Sequence, residues 1–286
     1  MKVEKFGEEY QKLRKSKGIT QTDIAGDGMY ISRGHLSRIE NAQAIPNLEM
    51  ADYMLRKIHV SYDEFAYLTN DYQLLEREAI LHEFHSLVSY IEMERILNLK
   101  LRADFYLNVH QDPKVREIVN ILNAFIYLSQ KEHQKAHHLL ETIWKRLAKV
   151  DTWTLDDLKI IHQIFYQFPT STVLELYPRL KKTLIKYKDY ANIHELKLSL
   201  ALKSSYVFLR HDMLQEAQAI LLENLELAKR LKRYDYLATI WVRLGICQHS
   251  KKKIDKGLAL LEMAGEEKMI EFLKKEIAEF TMVKTV

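Results

Sequence analysis

The sequence is short of residues that interrupt helices and of residues that cross-link a chain. Its 286 residues include eight glycines, four prolines and a single cysteine, Cys247. No glycine occurs between Gly34 and Gly245. A stretch so poor in helix breakers and so rich in Leu, Ile, Lys and Glu predicts helix throughout, with no room for a sheet. One cysteine also excludes a framework of disulfides within the chain.

Segments that would direct the chain into a membrane are missing as well. No apolar run approaches the roughly 18 residues that a membrane-spanning helix needs, and the N-terminus lacks the pattern of a signal peptide. Together with the single cysteine, these absences predict a cytoplasmic protein without a membrane span.

Catalytic and metal-binding motifs are also absent. The sequence has no GxGxxG, GxxxxGK[ST], GxSxG or HExxH. Two histidine pairs, His82 with His85 and His133 with His137, have helical spacing, but no third ligand accompanies either pair. We therefore expect no catalytic residues, no metal site and no cofactor, and we do not expect an enzyme.

Near the N-terminus the sequence predicts two short capped helices. Thr20 has Asp23 three residues on, so its hydroxyl can accept from the third helical amide while the carboxylate favours the positive end of the helix. This first helix carries Ile24 inward. It then meets Gly26 and Gly28, which permit a sharp turn.

The second helix has two unlike faces. Ser32 offers an N-cap, and Leu36 and Ile39 form an apolar stripe. The opposite face presents Arg33, Gly34, Ser37, Arg38 and Asn41. A guanidinium can bond guanine O6 and N7 together, and a glycine removes a side chain where the helix must approach a duplex. The pair of helices is typical of a helix-turn-helix, and a small solvated helical domain is the alternative.

Flanking helices complete a five-helix pattern within about the first 70 residues. The apolar residues that share one face of the preceding, following and fifth helices are Phe6, Tyr10 and Leu13, then Leu48, Ala51 and Leu55, then Phe65 and Leu68. With the segments ITQTDIA, SRGHLSRIEN and IPNLEMADYML, this pattern resembles the lambda-repressor-like (Cro/C1, XRE) DNA-binding fold. The resemblance covers about a quarter of the chain.

This resemblance implies which residues meet double-stranded DNA. Gln21, at the start of the first helix of the motif, would contact a phosphate and brace the recognition helix. The recognition helix itself would read bases or touch the backbone. The DNA-binding residues that we expect are Gln21, Ser32, Arg33, His35, Ser37 and Arg38. The turn from Gly26 to Ile31 is about one residue longer than in the minimal phage repressors, which affects the expected pitch of the recognition helix.

The distribution of charge favours the same interpretation, although the total charge does not. The whole chain has a formal net charge of +4, and acids and bases balance over residues 1–69. Four bases, however, cluster near the end of the first helix: Lys12, Arg14, Lys15 and Lys17. Such a cluster can neutralise phosphates locally, with an affinity that falls steeply with salt.

The remaining helical part repeats itself. The small residues Ala136, Ala217 and Gly257 lie in similar surroundings 81 and 40 residues apart, so the first gap is about two periods of the second. A fourth, degenerate unit is expected around residues 173–180. Residues 241–245, WVRLG, match the opening of a tetratricopeptide (TPR) signature. Stacked helix pairs of this kind form a solenoid, and a single closed helical bundle is the alternative.

The sequence thus predicts an all-α chain, with a lambda-repressor-like helix-turn-helix domain over residues 1–69 and a TPR-like right-handed helical solenoid over residues 70–286. This domain order and length resemble the Rgg/GadR/MutR group of Gram-positive regulators. The resemblance implies a cytoplasmic homodimer whose helical domain dimerises and holds a short signalling peptide that controls DNA binding. A dimer is also expected because two-fold related recognition helices read half-sites about one turn apart.

The first helix of each pair lines the concave face of a solenoid, so we expect ligand-binding residues there. Amide and guanidinium groups can hold a peptide backbone or its carboxylate, and aromatic rings supply contact area. The peptide-binding residues that we expect are Asn123, Tyr127, Tyr166, Tyr206, Arg210 and Arg243. Two alternatives remain: a protein-docking module that the helix-turn-helix tethers to DNA, with an open concave face, and a regulator with a non-peptide ligand.

Overall fold

The structure, a computed structural model, describes residues 3–87 and 92–282. Within these ranges it contains sixteen α-helices, one short 3-10 helix and no β-strand, which confirms the all-α prediction. The chain divides into two compact units. Unit 1 consists of Met1–Phe84 with Arg102–Val115, and unit 2 consists of His85–Leu101 with Arg116–Val286. Unit 1 therefore extends beyond residue 69, and the domain boundary at 69/70 remains a prediction.

Five short helices form the N-terminal part of unit 1, as the sequence predicts. They are α1 (Val3–Ser16), α2 (Gln21–Ala25), α3 (Arg33–Glu40), α4 (Leu48–Lys57) and α5 (Tyr62–Thr69). Helices α2 to α5 each begin after a side chain that accepts a hydrogen bond from the third helical amide. Such caps satisfy backbone donors that a helix leaves free at its start. Local sequence therefore decides where these helices begin.

The core of unit 1 draws on all five helices. It includes Tyr10, Ile24, Leu36 and Phe65, each at most 2% exposed. One expected member is absent, because Leu48 is 77% exposed. Leu48 is the first residue of α4, before the turn that packs on the core, so helical spacing alone placed it on the wrong side.

Eleven further helices follow in the described part of the chain. They are α6 (Glu76–Ser86), α7 (Met93–Val109), α8 (Pro113–Ser129), α9 (His133–Lys149), α10 (Leu155–Ile164), α11 (Thr170–Lys186), α12 (Ile193–Arg210), α13 (Leu214–Arg230), α14 (Tyr234–Cys247), α15 (Lys251–Ala264) and α16 (Glu267–Met282). The 3-10 helix, Phe165–Gln167, extends α10 by one turn.

Unit 2 has the layered contacts of a helical solenoid. Helix α12 packs on α13 and α14 packs on α15, while α10, α12, α14 and α16 each contact the next in that order. The small residues of the repeat lie at such contacts. A Cβ atom added to Gly257 would lie 2.6 Å from the carbonyl oxygen of Ala238 and 2.7 Å from Val242 Cγ2, so only glycine allows α15 to approach α14 this closely. The degenerate unit expected at residues 173–180 lies in α11.

Candidate functional site

The first helix of the helix-turn-helix, α2, begins at a capping box. The Thr20 hydroxyl accepts from the Asp23 amide at 3.1 Å, and Asp23 Oδ2 accepts from the Thr20 amide at 2.7 Å. The Thr20 hydroxyl also donates to Asp23 Oδ2 at 2.6 Å, and this hydrogen bond, together with that from the Thr20 amide, holds the pKa of the Asp23 carboxyl below its usual value. After the helix, Gly26 and Gly28 have φ angles of +54° and +79°. The two glycines therefore make the sharp turn that the sequence predicts.

The second helix, α3, buries one side and exposes the other. The Ser32 hydroxyl accepts from the His35 amide at 3.2 Å, as expected of an N-cap. Leu36 and Ile39 are 0% and 1% exposed. The apolar stripe thus anchors α3 in the core of unit 1, and its other side faces solvent.

Five of the six residues predicted to contact DNA lie on the solvent side of α3 or at its start. Ser32, Arg33 and Arg38 are exposed, whereas His35 and Ser37 are half-buried. Arg38 Nη2 lies 3.2 Å from His35 Nδ1, which holds this guanidinium close to the helix. Two guanidinium groups on the exposed side of an anchored helix can enter a major groove together. Their contact with DNA remains a prediction.

Gln21 braces the recognition helix through a buried carboxylate. Gln21 Nε2 donates to Glu40 Oε2 at 2.8 Å, and Gln11 Nε2 donates to the same oxygen at 3.2 Å. Arg14 donates to both Glu40 oxygens, at 2.6 and 2.8 Å, and to the carbonyl of Ile19 at 2.6 Å. Glu40 is the last residue of α3, so this network ties α1 and α2 to the recognition helix. The predicted phosphate contact of Gln21 stays a prediction.

The Glu40 network corrects the predicted basic cluster. Arg14 is 5% exposed and Glu40 2% exposed, so the Arg14 guanidinium is buried beside its counter-ion and cannot neutralise a phosphate. Lys12 pairs with Glu9 at 2.6 Å. Lys15 and Lys17 are exposed at the end of α1.

Sequence reasoning missed Glu40, although a signal was available. Glu40 lies four residues after Leu36, which places an acid on the buried stripe of an otherwise amphipathic helix. Acids are almost never buried unless they are paired. Burial favours the protonated form of Glu40, but the hydrogen bonds from Arg14, Gln21 and Gln11 outweigh it, so the pKa of this carboxyl is lowered.

Four of the six predicted peptide-binding residues come together in unit 2. The rings of Tyr166 and Tyr206 lie edge to face with centroids 5.7 Å apart. Arg243 Cζ lies 5.3 Å from the centre of the Tyr206 ring. Arg210 Nε lies 3.5 Å from Glu279 Oε1 on α16. The face expected to bind a ligand, formed by the first helix of each pair (α10, α12 and α14), is thus shared with α16.

Arg243 is engaged within the protein. Its guanidinium donates to Glu276 at 2.6 and 2.9 Å, to the Leu202 carbonyl at 2.5 Å and to Ser205 Oγ at 3.2 Å. Arg243 and Glu276 are each 3% exposed. The guanidinium expected to hold a peptide carboxylate therefore holds α16 against α12 and α14, a role that only the fold reveals.

The two remaining predicted residues lie on α8. Asn123 and Tyr127 are half-buried, and Lys135 Nζ lies 5.4 Å from the centre of the Tyr127 ring.

A cavity of about 720 Å³ opens in unit 2 beside α10 and the N-terminal half of α12. Its lining combines polar and apolar surface, and its polar members include Asp156, Lys159, His162, Glu195, Ser199 and Tyr236. His162 Nε2 lies 2.7 Å from Ser199 Oγ, and burial together with the charge of Lys203 holds the pKa of His162 well below its usual value. These lining residues were not predicted.

Two findings bear on other kinds of site. Among the described residues, no group of three or more His, Cys, Asp or Glu side chains is placed to hold a metal ion. Helices in the same part of the chain are all too short or too polar to span a membrane.

Cys247 is buried, and its burial raises the pKa of the thiol to about 11.

Comparisons with known proteins agree with this fold. Residues 11–65 match the helix-turn-helix family model. No curated protein matches the sequence. A candidate transcriptional regulator from Listeria monocytogenes EGD-e has a similar structure, with 18% sequence identity and a TM-score of 0.75 over 99% of both chains. The SHP pheromone receptor Rgg2 from Streptococcus dysgalactiae is also similar, with 14% identity and a TM-score of 0.70 over 96% of this chain and 99% of that chain. PlcR from Bacillus thuringiensis, in complex with the peptide PapR7 and DNA, has 13% identity and a TM-score of 0.68 over 96% of this chain and 99% of that chain. At such identities the likeness establishes a shared fold, as expected from the resemblance to Rgg-type regulators.

Proposed function

We propose that this protein is a cytoplasmic transcriptional regulator that binds double-stranded DNA as a homodimer and is controlled by a short signalling peptide bound in unit 2. The observation that carries the DNA-binding part is the two-sided helix α3. Its buried Leu36 and Ile39 anchor it, while Arg33 and Arg38 face solvent. A rigidly held helix with exposed arginines is what direct reading of base edges requires.

Two observations support a small ligand in unit 2 over a docked protein. A protein-docking solenoid would present an open, extended concave face, whereas here α16 lies on that face. Phe280 packs edge to face on Tyr206 at 6.1 Å, beside the Arg243–Glu276 pair. Unit 2 also contains a cavity of about 720 Å³, which lies within the roughly 300–1,000 Å³ of small-ligand pockets. PlcR, which has a similar fold, was crystallised with a peptide and DNA.

The homodimer follows from the needs of DNA recognition. A single module of this size buries little surface, and two modules related by a two-fold axis reach half-sites about one helical turn apart. Sedimentation of the full chain should therefore give a dimer, with or without DNA. A monomer at micromolar concentration in both conditions would contradict this part of the proposal.

DNA binding is tested with the full-length protein and fragments selected from the genome that encodes it. We expect Arg33→Ala and Arg38→Ala each to weaken specific binding by about 1–3 kcal/mol and to relax the sequence preference. Arg230→Ala, an exposed arginine of α13 in unit 2, is the matched control and should leave binding unchanged. Equal effects of the three variants would contradict recognition through α3.

Control by a peptide is tested by adding a small-peptide extract of the organism's spent medium. Specific DNA binding that shifts with the extract, and no longer shifts after the extract is treated with protease, supports a peptide-controlled regulator. A ligand present at 100 times its Kd should also stabilise the protein by about 2.7 kcal/mol. DNA binding indifferent to the extract would favour the partner-docking alternative, and a shift that survives protease would favour a non-peptide ligand.

A further inference from the structure

The turn from α2 to α3 presents a large apolar side chain to solvent. Met29 lies in this turn and is 78% exposed, although Ile31, two residues later, is 2% exposed and belongs to the core of unit 1. A single exposed apolar side chain is common on protein surfaces. Whether this one has a role therefore depends on how it is held and on what lies beside it.

The turn is held by contacts on both sides of Met29. Asp27 Oδ1 accepts from the Met29 amide at 3.0 Å, a local hydrogen bond that closes a tight turn. The Tyr30 ring stacks on the Tyr53 ring with centroids 4.8 Å apart, and the Tyr53 hydroxyl donates to the carbonyl of Ile24 at 2.9 Å. The exposed side chain therefore stands on an ordered backbone, so little backbone freedom is lost when it binds a partner.

Met29 lies near the end of the recognition helix that meets base edges. It comes three residues before Ser32, the N-cap of α3. Steps of about 3.8 Å between successive Cα atoms keep the Met29 Cα within about 11 Å of the Ser32 Cα, and the major groove is about 12 Å wide. A Cβ atom added to Gly34 would meet no atom within 4 Å, so this end of α3 is open to a duplex. A base edge contacted by the first turn of α3 is therefore within reach of Met29.

The chemistry of a thioether limits what Met29 can recognise on a duplex. The side chain has no charge and no hydrogen-bond donor, and its sulfur is a weak acceptor, so it is unsuited to phosphates. In the major groove only thymine presents an apolar group, its C5 methyl. A flexible, polarisable methionine adapts well to such a group. Thymine is therefore the base that matches Met29.

We propose that Met29 contacts the C5 methyl of a thymine in the recognised DNA site and contributes to its sequence specificity. This inference rests on the proposed function, and it adds an apolar contact to the hydrogen bonds expected from Arg33 and Arg38. Contact between the thioether and the methyl group removes apolar surface of both from water. Uracil, which lacks only this methyl group, does not offer the contact.

The test removes the methyl group and the thioether separately. A short duplex is taken from the genomic fragments that the full-length protein binds, and each thymidine in turn is replaced by deoxyuridine. At one position of the half-site we expect the affinity of the parent protein to fall about fourfold, the effect of one buried methyl-sized group. Met29→Ala should bind the unmodified duplex more weakly and lose no further affinity at that position.

Two further variants separate this contact from general effects. Met29→Leu keeps an apolar side chain and should retain the response to the methyl group. Met263→Ala removes a methionine that is 88% exposed at the end of α15 in unit 2, and should respond as the parent protein does. Thermal unfolding of each variant shows that it is folded.

The outcomes distinguish this inference from the proposed function. A parent protein without sequence-specific DNA binding would overturn both. If the parent binds specifically but no deoxyuridine weakens binding, the methyl contact is refuted while the proposed DNA recognition stands. The same conclusion follows if Met29→Ala loses as much affinity as the parent at every replaced thymine. A loss at one position of the half-site that is absent only from Met29→Ala establishes the contact.

Discussion

Removing the carboxylate of Glu40 should destabilise the DNA-binding end of the protein. Glu40→Leu leaves the Arg14 guanidinium buried without its counter-ion and deprives Gln11 and Gln21 of an acceptor. Breaking a buried ion pair from one side costs about 3–5 kcal/mol. For a domain of 60–100 residues each kcal/mol lowers Tm by about 4–8 °C, so the loss is about 12 °C or more.

The assay is scanning calorimetry of the full-length protein, with hydrogen exchange to assign the transition of residues 1–69. A matched control is Glu8→Ala, which removes an exposed carboxylate from α1 and should stay within about 0.5 kcal/mol of the parent. Arg14→Met with Glu40→Leu replaces the pair by apolar side chains and should recover most of the loss, because such replacements are often neutral.

Titration gives a second test of the Glu40 network. The pKa of Glu40 is lowered in the folded protein, so its stabilisation is complete above the unfolded value of about 4.3. This stabilisation is lost as the pH falls through the pKa that Glu40 has in the folded protein.

The reasoning is refuted if Glu40→Leu costs under about 1 kcal/mol at pH 7, or if the double variant Arg14→Met with Glu40→Leu is no more stable than Glu40→Leu alone.

Other predictions concern buried charges of unit 2. Glu276→Leu leaves Arg243 unpaired, so we expect a loss of about 3–5 kcal/mol in thermal unfolding, largely recovered by adding Arg243→Met. Equal losses in both variants would contradict the ion-pair assignment. Burial lowers the pKa of Lys203 to about 7, from about 10.4 when unfolded, so its destabilising effect grows as the pH falls from about 10 to 7 and is complete below 7. Lys203→Met should therefore raise Tm at pH 6 and change it little at pH 10.5, and an equal change at both values would show that the amine is not desolvated.

The helix-turn-helix was predictable because its signals are local. A cap and the amide that it binds lie three residues apart, as at Thr20 and Ser32. The buried stripe of Leu36 and Ile39 follows from helical spacing alone. Local spacing was less reliable at Leu48, where position in the first turn of a helix decides exposure.

Charged residues were the least predictable, because a sequence does not say which of them meet a partner in the interior. Arg14 and Arg243 were expected to bind DNA and peptide, yet each is paired with a carboxylate 26 or 33 residues away. Lys203, which no pattern singled out, meets the carbonyl of His162 at a separation of 41 residues. These contacts form only when distant helices pack.

The sequence by itself determined that the chain is helical, where the recognition helix begins and which of its sides is apolar. These properties follow from breakers, caps and periodicity, which act over a few residues. Tertiary structure alone decided which charges are buried, that α16 lies on α12 and α14, and where the cavity opens in unit 2. Burial and pairing depend on helices far apart in the chain, so their energies are settled only when the helices meet.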